Sequence, residues 1–337
     1  MNRKLEHHMN SKEERLKELN DILFNNDLGF IYDFLGDRDN GLVLPFFALH
    51  MDAVKKIGLE FCVTTETGIK AGILYKHKLI FMSYGLFDRL CKLALLIHSS
   101  GVLNASAKEF KFVDLHLVEN PFKGFNDEET SSELGGDAHL LLFLFDKLLS
   151  FIVAHEVGHY INRHGDRVDF SDDSEGHKKI SRESLIQSHT RELVADNYAF
   201  RALRHDITEL ISSHNPILND LLPEYKSEQG AALLSLLFVA CYFKLMDGQS
   251  PFSHFESTHP ETAVRIHSIF ATYLEPYMDT DKQDEMAALL PLAISLLKRI
   301  FKHKGDDFVL DWQGKKSTLE IKQWHLEVEN EYPKWCL

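Results

Sequence analysis

The stretch "AHEVGHYINRHGD", Ala154 to Asp166, decides how this chain is read. On a helix, residues four apart lie one above the other, so His155 and His159 point the same way with imidazoles close enough to share one metal ion. Glu156, beside the first of them, is then placed to accept a proton from a water attacking a carbonyl, the mechanical reason for the Glu in H-E-x-x-H. The chain holds 19 His among 337 residues. A five-residue pattern in such a sequence arises by chance often enough to need independent support.

The third ligand supplies the test, because catalytic zinc usually takes three protein ligands and leaves a further position for water. A metzincin would continue with H-x-x-G-x-x-H, but Asn162 stands in place of the Gly and Gly165 in place of the last His. A carboxylate from a later helix is the other route. "RELVADNYAF", Arg191 to Phe200, offers Glu192 and Asp196 four apart. Glu192 would bind the metal, and Asp196, one turn on, would accept a hydrogen bond from the far nitrogen of a ligand His and fix its tautomer. The plainer alternative makes His155 and His159 polar residues on a half-exposed face and pairs Glu192 with Arg191 or Arg201. The apolar run ahead of His155 favours the metal, because it buries the helix, and buried His and Glu are costly unless paired or metal-bound. His164, His177 and His189 lack the spacing to the pair and read as surface residues.

Composition bounds the function classes. With 44% hydrophobic residues the chain can bury a large core. Lys plus Arg total 37 against 51 Asp plus Glu, a net charge of −14 spread along the sequence. No basic face is found to hold a phosphate backbone, so nucleic acid is excluded as an expected partner. Cys62, Cys91, Cys241 and Cys336 lie far apart with no C-x-x-C pair. They read as buried thiols rather than a disulfide framework or a zinc knuckle. The first twenty residues are charged throughout and lack the apolar stretch of a signal peptide, which makes the expected location cytoplasmic. "LLLFLFDKLLSFIVA" (140–154) is interrupted by Asp146 and Lys147, and "AALLSLLFVACYF" (231–243) is too short for a bilayer. Both are expected to be buried core helices, and no membrane is expected as a partner.

The expected fold class is α+β, mainly α. Residues 11–35 carry apolar residues at helical spacing and suggest a surface or partner-facing helix. "LVLPFFAL", "LEFCVTT", "AGILY" and "KLIFMS", between Leu42 and Ser83, look like short strands. "GILYKHKLIFM" fits a hairpin with Lys76 and His77 in the turn. Helices are expected at 85–101, 138–164, 185–204, 228–246, 259–276 and 283–302, and short strands at "FVLDW" and "STLEIKQW". The segment 119–137 reads as a long acidic loop, disordered or a lid. The expected division is an N-terminal helical segment (1–40), a catalytic domain with a small N-terminal sheet and an active-site helix (41–280), and a C-terminal helix with short strands (281–337).

Set together, the H-E-x-x-H of His155 to His159 and the E-x-x-x-D of Glu192 to Asp196 resemble the paired motifs of the M48-type gluzincin metallopeptidases. "AGILYKHKLIFMSYGLFDRL" (71–90) is similar to that family's strand-turn-strand-helix segment, and "STHPETAVRI" (257–266) to its S-T-H-P…R-I motif. The Arg-Glu-x-x-Ala-Asp form and the T-H-P…R-I segment resemble most nearly the cytoplasmic phage-exclusion peptidases of the Lit type. The resemblance covers roughly residues 70 to 270. It implies a zincin-like domain and one Zn2+ per chain, held by His155, His159 and Glu192. Glu156 would act as general base and proton shuttle, Asp196 would orient the site, and "AGILY" would be an edge strand to which a peptide substrate adds. It implies further an intracellular endopeptidase acting on a protein in phage defence, with an activating or inhibitory protein partner. His259 then has three readings: a donor to the oxyanion formed on water attack, a fourth zinc ligand in a latent state, or a purely structural residue. In the last, Thr258 to Glu261 form a capping box and Glu261 pairs with Arg265. The rival function is a non-catalytic interaction or regulatory protein braced by zinc, which would have no use for Glu156.

Overall fold

The computed structural model describes residues 2–32, 44–104, 138–165, 180–247, 254–305, 307–315 and 318–337. The expected loop at 119–137 and His177 lie outside the described residues. The chain is mainly helical with one small sheet, and it divides into two compact units whose boundary falls between Lys92 and Leu93.

The first unit is built on a three-stranded sheet. Strands β1 (Glu60–Thr64), β2 (Ala71–Leu74) and β3 (Leu79–Ser83) are ordered β1-β3-β2. β3 runs parallel to β1, with Glu60 opposite Leu79, and antiparallel to β2, with Ala71 opposite Met82. Every residue of the central strand is buried, which explains its unbroken apolar run. The β2–β3 hairpin closes through Tyr75–His77, and Lys78 takes the left-handed conformation (φ +52°) in which Gly or Asn is usual.

Helix α1 (Asn2–Asn25) ends ten residues before the expected boundary, where Asp27 (φ +55°) and Gly29 (φ +74°) turn the chain. Its Leu19 and Leu23 are buried against Leu28, Leu79 and Phe81, so this helix covers the sheet rather than awaiting a partner. "LVLPFFAL" is not a strand: helix α2 (Leu44–Lys55) starts within it. Pro45 falls in the first turn, where its missing N–H costs nothing, and the buried Phe47 and Val54, seven apart, make the helical stripe. Helix α3 (Tyr84–Ser99) leaves β3 directly, and Gly101 (φ +68°) lies just past its end.

The second unit is a stack of helices. Helix α4 (Ala138–Ile161) packs along α5 (Arg182–Ser212), and α6 (Glu228–Met246) packs on both. Around them lie α7 (Thr262–Leu274), α8 (Gln283–Ala287), α9 (Leu289–Ile300), α10 (Asp307–Gly314) and α11 (Leu319–Trp335). Among the described residues α6 alone is long and apolar enough to cross a membrane, and 83% of that window is buried inside the unit. The two stretches expected as strands near the end are helices α10 and α11. Short apolar runs do not by themselves distinguish the two states. In α11 the decision comes from tertiary contact: Thr318 Oγ1 caps Ile321 N at 3.2 Å, and Trp324 and Val328 pack against Leu185, Ile186 and Leu193 of α5. Of the four thiols expected to be buried, Cys91 and Cys241 are, Cys62 is half-buried and Cys336 is exposed.

Candidate metal centre

The last two turns of α4 carry His155, Glu156 and His159, and the middle of α5 carries Glu192 and Asp196. What lets the two helices meet is Gly158, between the two histidines. A Cβ there would lie 3.1 Å from Ala195 Cα and 3.2 Å from Ala195 O, tighter than an ordinary contact, so a side chain would require the backbone of the turn that holds both carboxylates to give. All but Leu142 of the apolar residues from Leu140 to Val153, ahead of His155, are buried core, and they carry the polar end of α4 into the unit.

At that meeting point one ligand atom from each of His155, His159 and Glu192 lies within 4.8 Å of the others. His155 Nε2 is 3.1 Å from His159 Nε2 and 3.4 Å from Glu192 Oε2, and His159 Nε2 is 3.3 Å from Glu192 Oε1. The three side chains are 12%, 11% and 11% exposed, dry enough for charge interactions to be strong. Two imidazole nitrogens and a carboxylate oxygen converging in this way could hold a metal ion, and the set is of a kind that fits zinc.

Behind them lies a polar layer. Asp196, fully buried, has Oδ1 3.0 Å from His155 Nδ1, the nitrogen facing away from the cluster. Arg265 of α7 donates to Asp196 from Nε (2.7 Å) and Nη2 (2.6 Å), a two-pronged pair, and its Nη2 lies 3.4 Å from Glu192 Oε2. The guanidinium stacks over the Phe243 ring at 4.6 Å. The expected pairing of Arg265 with Glu261 is therefore overturned: Arg265 turns inward to two buried carboxylates, and Glu261 faces Lys315 at 3.8 Å. The expected capping box fails as well. Helix α7 starts at Thr262 with Glu261 as its N-cap and no side-chain cap bond, while Thr258 Oγ1 lies 3.1 Å from His259 Nδ1. His259 is 60% exposed and its Nε2 is 3.6 Å from Glu192 Oε1, at the open side of the cluster. Glu156 is buried.

Two of the histidines expected on the surface are in the interior. His164, 1% exposed, has Nδ1 2.8 Å from His159 Nδ1 and Nε2 3.3 Å from Trp335 O. His189, 1% exposed, has Nε2 2.8 Å from Ser257 O, and its Nδ1 accepts from Trp324 Nε1 at 3.0 Å. Contacts made far along the chain bury both, and spacing to the H-E-x-x-H pair carries no information about them. The sequence reading also missed Tyr242 of α6. Burial first, against the opposing charge of Arg265, and then the Glu156, Asp196 and Glu192 carboxylates push its hydroxyl above the usual tyrosine range.

Residues 127–287 match the model of the family Peptidase U49. The Peptidase U49 match falls just short of half the chain, contains His155, Glu156, His159, Glu192, Asp196, His259 and Arg265, and supports a peptidase acting on protein or peptide. No curated protein and no solved structure matches the chain.

The charge pattern makes a pH prediction. Burial alone would lower His155, but the Asp196 and Glu192 carboxylates outweigh it and raise the metal-free imidazole to about 10. A raised histidine contributes stability that is fully present below its unfolded pKa of about 6.5 and is lost as pH rises through the folded value. The melting temperature of the metal-free chain is thus expected to fall between neutral pH and about pH 10. Because a metal takes the neutral ring, zinc uptake near pH 8 is expected to release about one proton. Calorimetry in buffers of different protonation enthalpy reads that number, and zero release would contradict the assignment of His155.

Proposed function

We propose that this chain is a zinc-dependent endopeptidase of the M48-like gluzincin type with a zincin-like catalytic domain. The observation that carries the reading is the convergence of His155, His159 and Glu192, backed by Asp196 on the outward nitrogen of His155. Zinc held by those three side chains supplies a Lewis acid that polarises a carbonyl and acidifies water. The residues of the chain do the rest. Asp196 holds His155 in the tautomer that leaves Nε2 bare, and Arg265 holds Asp196 ionised and in place. Glu156 takes the proton of the attacking water at a carboxylate oxygen and passes it to the leaving amine. His259, exposed beside Glu192, donates to the oxygen on which negative charge develops. β2 is an outer strand of its sheet, an edge of the kind to which an extended segment adds. A cytoplasmic location, the Lit-type relationship and a role in phage defence, with a triggering or inhibitory protein partner, complete the proposal and rest on the sequence motifs.

The test is metal content. Mass spectrometry of the purified chain is expected to find about one zinc, and Glu192→Ala prepared alongside it is expected to lose most of that metal, as removal of one of three ligands should. Full occupancy in Glu192→Ala would move the third ligand elsewhere. Absence of metal from the parent even after zinc is supplied would sink the reading.

A further inference from the structure

We propose that His164 is the positioning residue of the ligand His159, and that it is itself aimed by the backbone of residue 335 at the far end of α11. The inference rests on the metal reading above and deepens it.

The geometry begins with how α4 ends. Arg163 takes the left-handed conformation (φ +53°), its N–H bonds to Tyr160 O at 3.0 Å, and the N–H of His164 bonds to His159 O at 3.1 Å. These two bonds make a Schellman motif, in which the residue after the left-handed one folds back on the side chain five positions earlier. That contact is usually apolar. Here it joins two imidazoles, with the Nδ1 atoms 2.8 Å apart.

Donor and acceptor roles follow from the other end of the chain of bonds. His164 Nε2 faces the carbonyl oxygen of Trp335, which can only accept, so Nε2 carries the hydrogen. In a neutral ring Nδ1 of His164 is then the acceptor, and Nδ1 of His159 must donate to it. The lone pair of His159 Nε2 is then available to a metal ion shared with Glu192 and His155, the state a metal requires. The two ligand histidines are therefore held by different means: an aspartate on the outward nitrogen of His155, and a neutral histidine on that of His159.

The segment beyond α11 is built to keep this arrangement in place. Asn162, at the same helix end, donates from Nδ2 to Gly158 O at 2.8 Å and accepts from the Leu337 N–H at 3.0 Å. The Trp335 ring meets the His164 ring edge-on at 5.8 Å, and the Arg191 guanidinium lies over Trp335 at 5.1 Å. Residues 335–337 thus clasp the helix end that carries the second ligand, and they lie outside the span of the family match.

The experiment is a zinc titration by competition with a chromogenic chelator, on the parent, His164→Leu and His164→Asn, with the melting of each metal-free form as a check on folding. His164→Leu removes the acceptor and is expected to weaken zinc about 10- to 100-fold. His164→Asn offers Oδ1 where Nδ1 stood and is expected to stay within about threefold of the parent. Equal affinity of His164→Leu and parent overturns the proposal, as does a His164→Asn that falls as far as His164→Leu. Should His164→Leu not fold, nitrogen NMR of the His164 ring in the parent decides. A hydrogen on Nε2 with a bare Nδ1 supports the relay, and a hydrogen on Nδ1 overturns it. A parent that binds no zinc is recognised by its own titration as failure of the metal reading, and it takes this proposal down with it.

Discussion

Glu156→Gln is expected to bind zinc as the parent does and to lose peptide hydrolysis by about 10²- to 10⁴-fold, the usual worth of a positioned general base. The amide keeps the size and burial of the side chain, and the three atoms that converge on the ion come from His155, His159 and Glu192, so metal content should not change. What disappears is a carboxylate oxygen able to take a proton. The measurement is cleavage of a denatured protein substrate by parent and variant loaded with the same amount of zinc. Substantial turnover by Glu156→Gln would remove Glu156 from the chemistry. Loss of metal together with activity would show that Glu156 instead helps to build the site. The same comparison separates a peptidase from a zinc-braced interaction protein, in which Glu156→Gln would change nothing.

Much of this centre is legible in the sequence because its spacings are helical. His155 with His159, and Glu192 with Asp196, are each four apart, and a helix turns that spacing into a shared face before any tertiary structure is known. The sequence is silent where the partner lies on another element. Arg265 has Glu261 four residues before it, and the local rule pairs them, yet two carboxylates buried on α5 outcompete one half-exposed on its own helix end. His164 was hidden for another reason. The left-handed residue that folds it back on His159 is Arg163, and without a glycine there the sequence does not announce a Schellman turn. The helices near the end of the chain were hidden by length: "FVLDW" and "STLEIKQW" show too few turns to reveal a period, and for the second the packing of Trp324 and Val328 on α5 decides. The hairpin at Tyr75–His77 and the burial of α4 and α6 were legible because runs of apolar residues over many turns, or on both sides of a tight turn, leave few alternatives.

Removal of Asp196 is expected to be the most destabilising single change near the site. Its carboxylate is fully buried and accepts two bonds from Arg265, itself a buried residue. In Asp196→Ala that cation would keep only Glu192, at 3.4 Å; breaking a buried pair from one side costs about 3–5 kcal/mol when the remaining charge is uncompensated, and Glu192 offsets part of that cost. Replacing both partners, as in Asp196→Ala with Arg265→Met, should cost less than Asp196→Ala alone, since no orphaned guanidinium remains. Chemical denaturation of the metal-free forms measures this. A double variant less stable than Asp196→Ala would show that packing of the arginine stem over Phe243, rather than charge, holds α7 in place. The pH dependence has a definite sign. Burial raises Asp196, but the Arg265 charge and hydrogen bonds, then His155, outweigh it and hold the carboxyl below the usual range. A depressed carboxylate contributes stability present above its unfolded pKa, about 3.9, and lost as pH falls through the folded value, so the gap between parent and Asp196→Ala should close in acid. Arg265→Met provides the separation of roles: with Asp196 still facing His155 Nδ1, it should retain more zinc affinity than Asp196→Ala, which leaves the ligand ring without its outward partner.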